Sequence, residues 1–138
     1  MNNIEVSYCA GVVDSDGCIT IKRRRSKSKS AETFTYSAVV MVRQAERGAI
    51  DILERLFGGR VRYHPPSNEG GRFLYLWEVT HTRAVKTAKA LVTFLRIKRE
   101  QAEILQEFGE HMANHTLRRH STWYEIEPGE PCYTADEA

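Results

Sequence analysis

Two aspartates, Asp14 and Asp16, stand directly before Gly17, and a strongly basic segment begins soon after them at Lys22. That segment reads KRRRSKSK over residues 22–29 and carries six positive charges in eight residues. Carboxylate oxygens are ligands that Mg²⁺ prefers, and clustered Lys and Arg side chains bind the phosphates of nucleic acids. Acids and bases this close together are typical of a site where a metal ion and a phosphate meet.

The charge of the chain is unevenly distributed along its 138 residues. The net charge is only +2, from 20 Lys and Arg against 18 Asp and Glu, but residues 125–138 contain five acids and no Lys or Arg. The remaining chain therefore carries 20 bases against 13 acids, a charge of +7, which favours a polyanionic partner. No apolar run approaches the ~20 residues of a membrane span, and no signal peptide is apparent at the N-terminus. We therefore expect a cytoplasmic, nucleoid or organellar protein that is not secreted and has no membrane partner.

The elements that must position these residues can be read from hydrophobic periodicity. A helix is predicted over residues 4–13. The segment 14–17 should end it, because its glycine tolerates the left-handed conformation that helix ends need. The order that follows is two strands, one helix, two strands and two helices, predicted over residues 18–25, 33–43, 45–57, 60–64, 72–80, 83–95 and 98–112. Two hairpins favour a four-stranded antiparallel sheet with helices on one face, an α+β fold. We assign residues 1–113 to this domain and residues 114–138 to an extension that docks in part and ends in a flexible acidic tail.

The sheet face away from the helices is predicted to be polar and basic. Strand alternation assigns to this face a set of cations, hydrogen-bonding groups and aromatics: Thr20, Lys22, Arg24, Thr35, Ser37, Arg62, His64, Tyr75 and Trp77. A curved sheet with such a lining fits the major groove of double-stranded DNA, where strand side chains reach base edges and phosphates.

The segment CAGVVDSDG, residues 9–17, resembles the signature of the LAGLIDADG homing endonucleases. Seven of its nine positions agree by identity or by an aliphatic exchange, and Cys9 and Ser15 are the departures. Three further stretches are similar to the family: VRQA (42–45), LFGGRVRY (56–63) and FLRIKREQAEIL (94–105). The resemblance spans roughly residues 4–112 and implies an αββαββα unit with a curved DNA-binding sheet.

The resemblance also implies a reaction and the residues that would carry it out. Members make staggered double-strand breaks in long DNA targets by metal-dependent hydrolysis, so Asp16 and the backbone carbonyl of Ser15 would bind the metal. Gln44 would order water around it, and Lys98 would stand near the cleaved phosphate. We expect Mg²⁺ as the cofactor, with Mn²⁺ able to substitute, Ca²⁺ binding without cleavage, and no small-molecule cofactor. Asp14, by its place in the motif, is predicted to be structural.

Only one copy of the signature is present, which implies a homodimer on each DNA site. The small residues Ala10 and Gly11 would let two copies of the first helix pack closely across a two-fold axis, bringing the two Asp16 carboxylates near each other. A non-cleaving DNA- or RNA-binding protein of the same fold, such as an intron maturase or a transcriptional regulator, is the alternative, and it predicts loss of Asp16 or Lys98. A basic α+β binding module unrelated to nucleases is a third possibility.

Overall fold

One helix followed by two strands occurs twice along the chain, and two helices complete it, in the predicted order. The structure is a computed structural model that describes residues 2–25, 34–66 and 69–116. Its elements are α1 (Asn3–Asp16), β1 (Gly17–Arg25), β2 (Phe34–Gln44), α2 (Arg47–Phe57), β3 (Arg60–His64), β4 (Leu74–Thr80), α3 (His81–Leu91) and α4 (Arg99–Thr116). The predicted connection at 26–32 and nearly all of the predicted extension lie outside the described residues. Helix α4 runs to Thr116, past the predicted domain boundary at 113.

The four strands form a single antiparallel sheet in the order β1-β2-β4-β3. The two hairpins therefore meet along β2 and β4, and β1 and β3 are the edge strands. The predicted α+β class and four-stranded antiparallel sheet are confirmed. In the part of the chain that the structure describes, no helix is both long enough and apolar enough to cross a membrane.

The hydrophobic core lies between the helices and one face of this sheet. Ile19 and Ile21 of β1 are buried there, as their alternation predicts. Ile50 and Leu53 of α2 are buried against the same face, since a spacing of three residues places them on one side of the helix. Burial of this apolar surface is the main favourable contribution to folding and leaves the opposite sheet face open.

Helix α1 runs to Asp16, three residues beyond its predicted end at residue 13, and the left-handed conformation expected of Gly17 was wrong. Its φ is −99°, an extended value that any residue can adopt. The glycine is required for space instead, since a Cβ at this position would lie 2.7 Å from Cα of Val13. The chain thus passes directly from the helix into β1, which fixes the position of Asp16 relative to the sheet.

The predicted placement of Tyr75 and Trp77 on the open sheet face was wrong. Trp77 is fully buried on the helix side, where its indole Nε1 donates to the Gly58 carbonyl at 2.8 Å. Tyr75 lies on the same side, with the Arg47 guanidinium 5.3 Å from its ring centroid. The register explains the error, because the open-face position across from Arg62 is held by Leu76 and not by either aromatic residue.

Candidate active site and nucleic-acid interface

Asp14 joins the last turn of α1 to the start of α4. Its carboxylate accepts hydrogen bonds from the backbone N–H groups of Arg96, Ile97 and Lys98, at 2.8, 3.2 and 3.0 Å. Partial burial raises the pKa of this carboxyl, but the three hydrogen bonds and the charge of Lys98 outweigh burial, so the pKa lies below its ordinary value. The contacts give Asp14 the structural role that its place in the motif predicts.

Lys98 is held at the end of α1 by a second contact with the same residue. Its ammonium Nζ donates to the backbone carbonyl of Asp14 at 2.5 Å. The carbonyl end of a helix carries partial negative charge, which favours a cation there. The lysine is therefore positioned two residues before Asp16, although it lies 82 positions further along the chain.

Asp16 occupies the last position of α1 and is exposed. Gln44, the last residue of β2, donates from its amide Nε2 to Oδ2 of Asp16 at 3.1 Å. The end of the first helix and the end of the second strand thus meet at one carboxylate. The structure brings together Asp16, Gln44 and Lys98 at the C-terminal end of α1.

One chain alone holds few metal ligands at this position. Ser15 lies in the exposed last turn of α1, next to Asp16, and its hydroxyl donates to the Gly11 carbonyl at 3.0 Å. Within residues 2–25, 34–66 and 69–116, no three His, Cys, Asp or Glu side chains converge on a possible metal position. Asp16 and backbone carbonyls are oxygen donors suited to a hard divalent cation, which keeps several water molecules among its ligands.

The open sheet face carries most of the side chains assigned to it from sequence. Lys22 pairs with Ser37, and Arg24 with Thr35, so these four residues share a face, together with Thr20 across from Val39. Lys22, Arg24, Thr35 and Ser37 also line a cavity of about 350 Å³. On the other edge strand, Arg62 and His64 lie across from Leu76 and Leu74, on the same face. Both edges of the sheet are therefore basic.

Two further residues of this face were missed from the sequence. Glu78 of β4 and Arg60 of β3 lie directly across from each other. Neighbouring strand residues lie on opposite faces, so placing Trp77 correctly on the helix side would have placed Glu78 on the open face. Both residues line a second cavity, of about 640 Å³, beside the sheet edge.

The exposed side of α1 contains only one of the two small residues that were predicted to lie at a dimer interface. Ala10 was expected at a dimer interface, but it is fully buried in the hydrophobic core of the chain itself. Gly11 is exposed, and a Cβ added there would meet no atom within 4 Å. Consecutive helix residues point about 100° apart, and here Ala10 faces the core whereas Gly11 faces outward. The exposed side of α1 also presents Ile4 and Tyr8, which are 78% and 50% exposed.

The fold was compared with known proteins. No family model matches the sequence, and no protein of curated function matches it either. Among solved structures, the homing endonuclease I-CvuI, in complex with the I-CreI target, aligns with a TM-score of 0.67 and 18% identity, over 98% of this chain and 90% of that chain. The archaeal intron-encoded homing endonuclease I-Vdi141I, complexed with DNA, gives 0.62 and 14%, over 97% and 91%. The LAGLIDADG homing endonuclease I-GzeII, in complex with its DNA target, gives 0.60 and 11%, over 85% of this chain and 38% of that chain.

The chain has the fold of the LAGLIDADG homing endonucleases. Its LAGLIDADG-like segment, residues 9–17, forms the second half of α1 and the first residue of β1. Three of its positions have a structural explanation: Gly11 leaves the exposed side of the helix open, Asp14 binds the start of α4, and Gly17 permits the tight passage into the sheet. Asp16, the other carboxylate of the segment, is exposed.

Proposed function

We propose that this protein is a site-specific DNA endonuclease that makes staggered double-strand breaks as a homodimer and requires a divalent cation. The observation that carries the proposal is the convergence of Asp16, Gln44 and Lys98 at the C-terminal end of α1. The adjoining sheet face, basic on both edges, supports DNA as the substrate. The fold shared with DNA-bound homing endonucleases is consistent with this role.

Each residue of the site has a distinct part in this proposal. A bound Mg²⁺ would supply positive charge beside the cleaved phosphate and would lower the pKa of a water molecule. Asp16, with the Ser15 carbonyl, would hold it, and Mn²⁺ would substitute, whereas Ca²⁺ would bind without supporting cleavage. Gln44 fixes the direction of the Asp16 carboxylate through its amide. Lys98 supplies a fixed positive charge for the negative charge that develops on the phosphate oxygens.

The homodimer is supported by the exposed side of α1 and by the small ligand set of one chain. Ile4, Tyr8 and Gly11 form an outward surface on which a second copy of the helix could pack closely. Such packing would add the partner's oxygen donors to those of Asp16.

The proposal is tested with Asp16→Asn, which keeps the shape of the side chain and removes its charge. DNA sites that the wild-type protein cleaves are first selected from a random duplex library in Mg²⁺. The variant should bind a selected site in EDTA as well as the wild type does and should cleave it at least 10³-fold more slowly in Mg²⁺. The matched control is Asp51→Asn, which removes an exposed carboxylate on α2.

Cleavage by the Asp16 variant at the wild-type rate would refute the assigned site. Sequence-selective binding without any cleavage by the wild type, in Mg²⁺ or Mn²⁺, would instead favour the non-cleaving DNA- or RNA-binding alternative. Both Asp16 and Lys98, which that alternative predicts to be lost, are present in this chain.

A further inference from the structure

One acidic residue lies in the middle of the proposed DNA-binding face. In the strands as described, Glu78 is the sole Asp or Glu, against six Arg and one Lys. It belongs to β4, an inner strand, and lies across from Met41 on one side and Arg60 on the other. An acid here would repel DNA phosphates, so its position calls for a physical explanation.

Glu78 connects the two basic edges of the sheet. The ammonium Nζ of Lys22, on edge strand β1, lies 3.7 Å from its Oε2. The guanidinium Nη2 of Arg62, on edge strand β3, lies 3.8 Å from its Oε1. The Glu78 side chain is 17% exposed, whereas those of Lys22 and Arg62 are 51% and 47% exposed. The carboxylate thus forms a sheltered centre that draws one cation from each edge over the face.

Such a centre changes what the two cations can contact. A Lys or Arg that bends outward to a phosphate adds affinity that is independent of sequence. The same side chain held over the floor of a major groove can donate to O6 and N7 of guanine, which specifies a base. The two cavities that adjoin Glu78 give base edges room to approach its neighbours.

We propose that Glu78 is a specificity-determining positioning residue, which holds Lys22 and Arg62 over the sheet face for guanine recognition and disfavours non-specific contact with phosphates. The inference rests on the proposed DNA-binding function. It assigns the guanine-reading cations of each half-site to β1 and β3.

The test compares Glu78→Gln with the wild type in binding to a random duplex library in EDTA, followed by affinity measurements on the selected duplex and on a scrambled one. Without the charge, the two cations are free to follow phosphates, so affinity for the scrambled duplex should rise about 3- to 10-fold. The salt dependence of that binding should steepen by up to about 0.9 for each cation released. Discrimination between the two duplexes should fall about 10-fold or more, the order expected when one base contact is lost.

Lys22→Ala and Arg62→Ala identify the guanine positions, because each should relax the preference at its own base pair. The matched control is Glu103→Gln, an exposed acid on α4, which should change neither affinity nor discrimination. The proposal is supported if Glu78→Gln relaxes the same positions as the two alanine variants. Each single variant should also unfold within a few degrees of the wild-type temperature, so that a change in DNA binding reflects altered contacts at the sheet face and not a loss of folding.

Three results would overturn the inference. Unchanged discrimination in Glu78→Gln would mean that the carboxylate only neutralises its neighbours. A changed preference at a base pair that neither alanine variant affects would mean that Glu78 contacts a base itself. If the wild type enriches no sequence at all, the proposed function fails and this inference fails with it, whereas the first two results leave the proposed function intact.

Discussion

Replacing Asp14 with alanine should destabilise the fold through the loss of a single side chain that joins α1 to α4. The carboxylate accepts three backbone N–H hydrogen bonds, those of Arg96, Ile97 and Lys98. The first two donors are exposed, so water can replace the carboxylate there at little cost. The Lys98 N–H is partly buried and would lose its partner in the protein.

The expected decrease in the free energy of unfolding is therefore close to that caused by removing one helix-capping side chain, and it is well below the sum of three hydrogen bonds. Loss of a cap costs about 1–2 kcal/mol, which corresponds to a decrease of roughly 4–8 °C in the melting temperature of a domain of this size. The segment that leads into α4 also holds Lys98 at the proposed active site, so cleavage should fall by more than the loss of stability explains.

The stability difference between the wild type and Asp14→Ala should decrease as the pH is lowered. The pKa of Asp14 is lower in the folded chain than in the unfolded one. Its contribution to stability is therefore complete above the unfolded value, about 3.9, and is lost as pH falls through the folded value. Urea unfolding of the wild type and Asp14→Ala at pH 7 and at decreasing pH should show a difference that disappears under acid conditions.

The matched control for this measurement is Asp51→Ala, which breaks an exposed ion pair with Arg47 on α2. Such pairs contribute little, so this variant should unfold almost like the wild type. The reasoning would be refuted if Asp14→Ala and Asp51→Ala were equally stable at pH 7, or if the difference between wild type and Asp14→Ala grew as pH fell.

Three further predictions concern the sheet and the site. Gly17→Ala should lower the free energy of unfolding by at least about 2 kcal/mol, since the added Cβ would lie 2.7 Å from a backbone atom. Gly48→Ala on α2, where an added Cβ meets nothing, should raise the free energy of unfolding by about 0.5–1 kcal/mol. Equal effects of the two substitutions in urea unfolding would contradict the packing argument. Trp77→Phe should cost about 1–3 kcal/mol by thermal unfolding, because the partly buried Gly58 carbonyl loses its donor. It should leave DNA affinity unchanged, in contrast with a tryptophan on the binding face. Gln44→Ala should slow cleavage about 10- to 100-fold in single-turnover assays without weakening DNA binding, since Asp16 loses its orienting partner; wild-type cleavage would exclude that role.

The order of elements was predictable because each has the periodicity of its own structure. The face of β4 was not, since apolar residues occur on both of its sides, Leu74 and Leu76 on one and Tyr75 and Trp77 on the other. Which set faces the core depends on the pairing with β2 and β3, a long-range property that local alternation does not contain. The open side of the strand became identifiable only through the register that places Glu78 across from Arg60.

In the candidate site, too, local sequence predicts one residue, and the others depend on contacts between distant segments. Asp16 follows from the motif at the end of the first helix, whereas its neighbours come from distant parts of the chain. Gln44 is 28 positions away from Asp16, and Lys98 is 84 positions away from Asp14. No periodicity connects residues at such separations, so the resemblance to a known family alone suggested that they act together. The structure places Gln44 against Asp16 and Lys98 against Asp14, at the C-terminal end of the same helix.

Helix α1 presents one side to the core and another to the outside, and both sides contain apolar or small residues. Val6, Cys9 and Val13 face inward, whereas Ile4 and Tyr8 face outward. A helix at the surface of a monomer usually has a polar outer side, so this pattern supports the proposal that a second copy of the chain packs against the helix. A partner at this side would lie beside the end of the helix, where the candidate catalytic carboxylate is exposed. Dimerisation and assembly of a complete metal site would then be one event, and separated subunits should bind a divalent cation weakly even when they are fully folded.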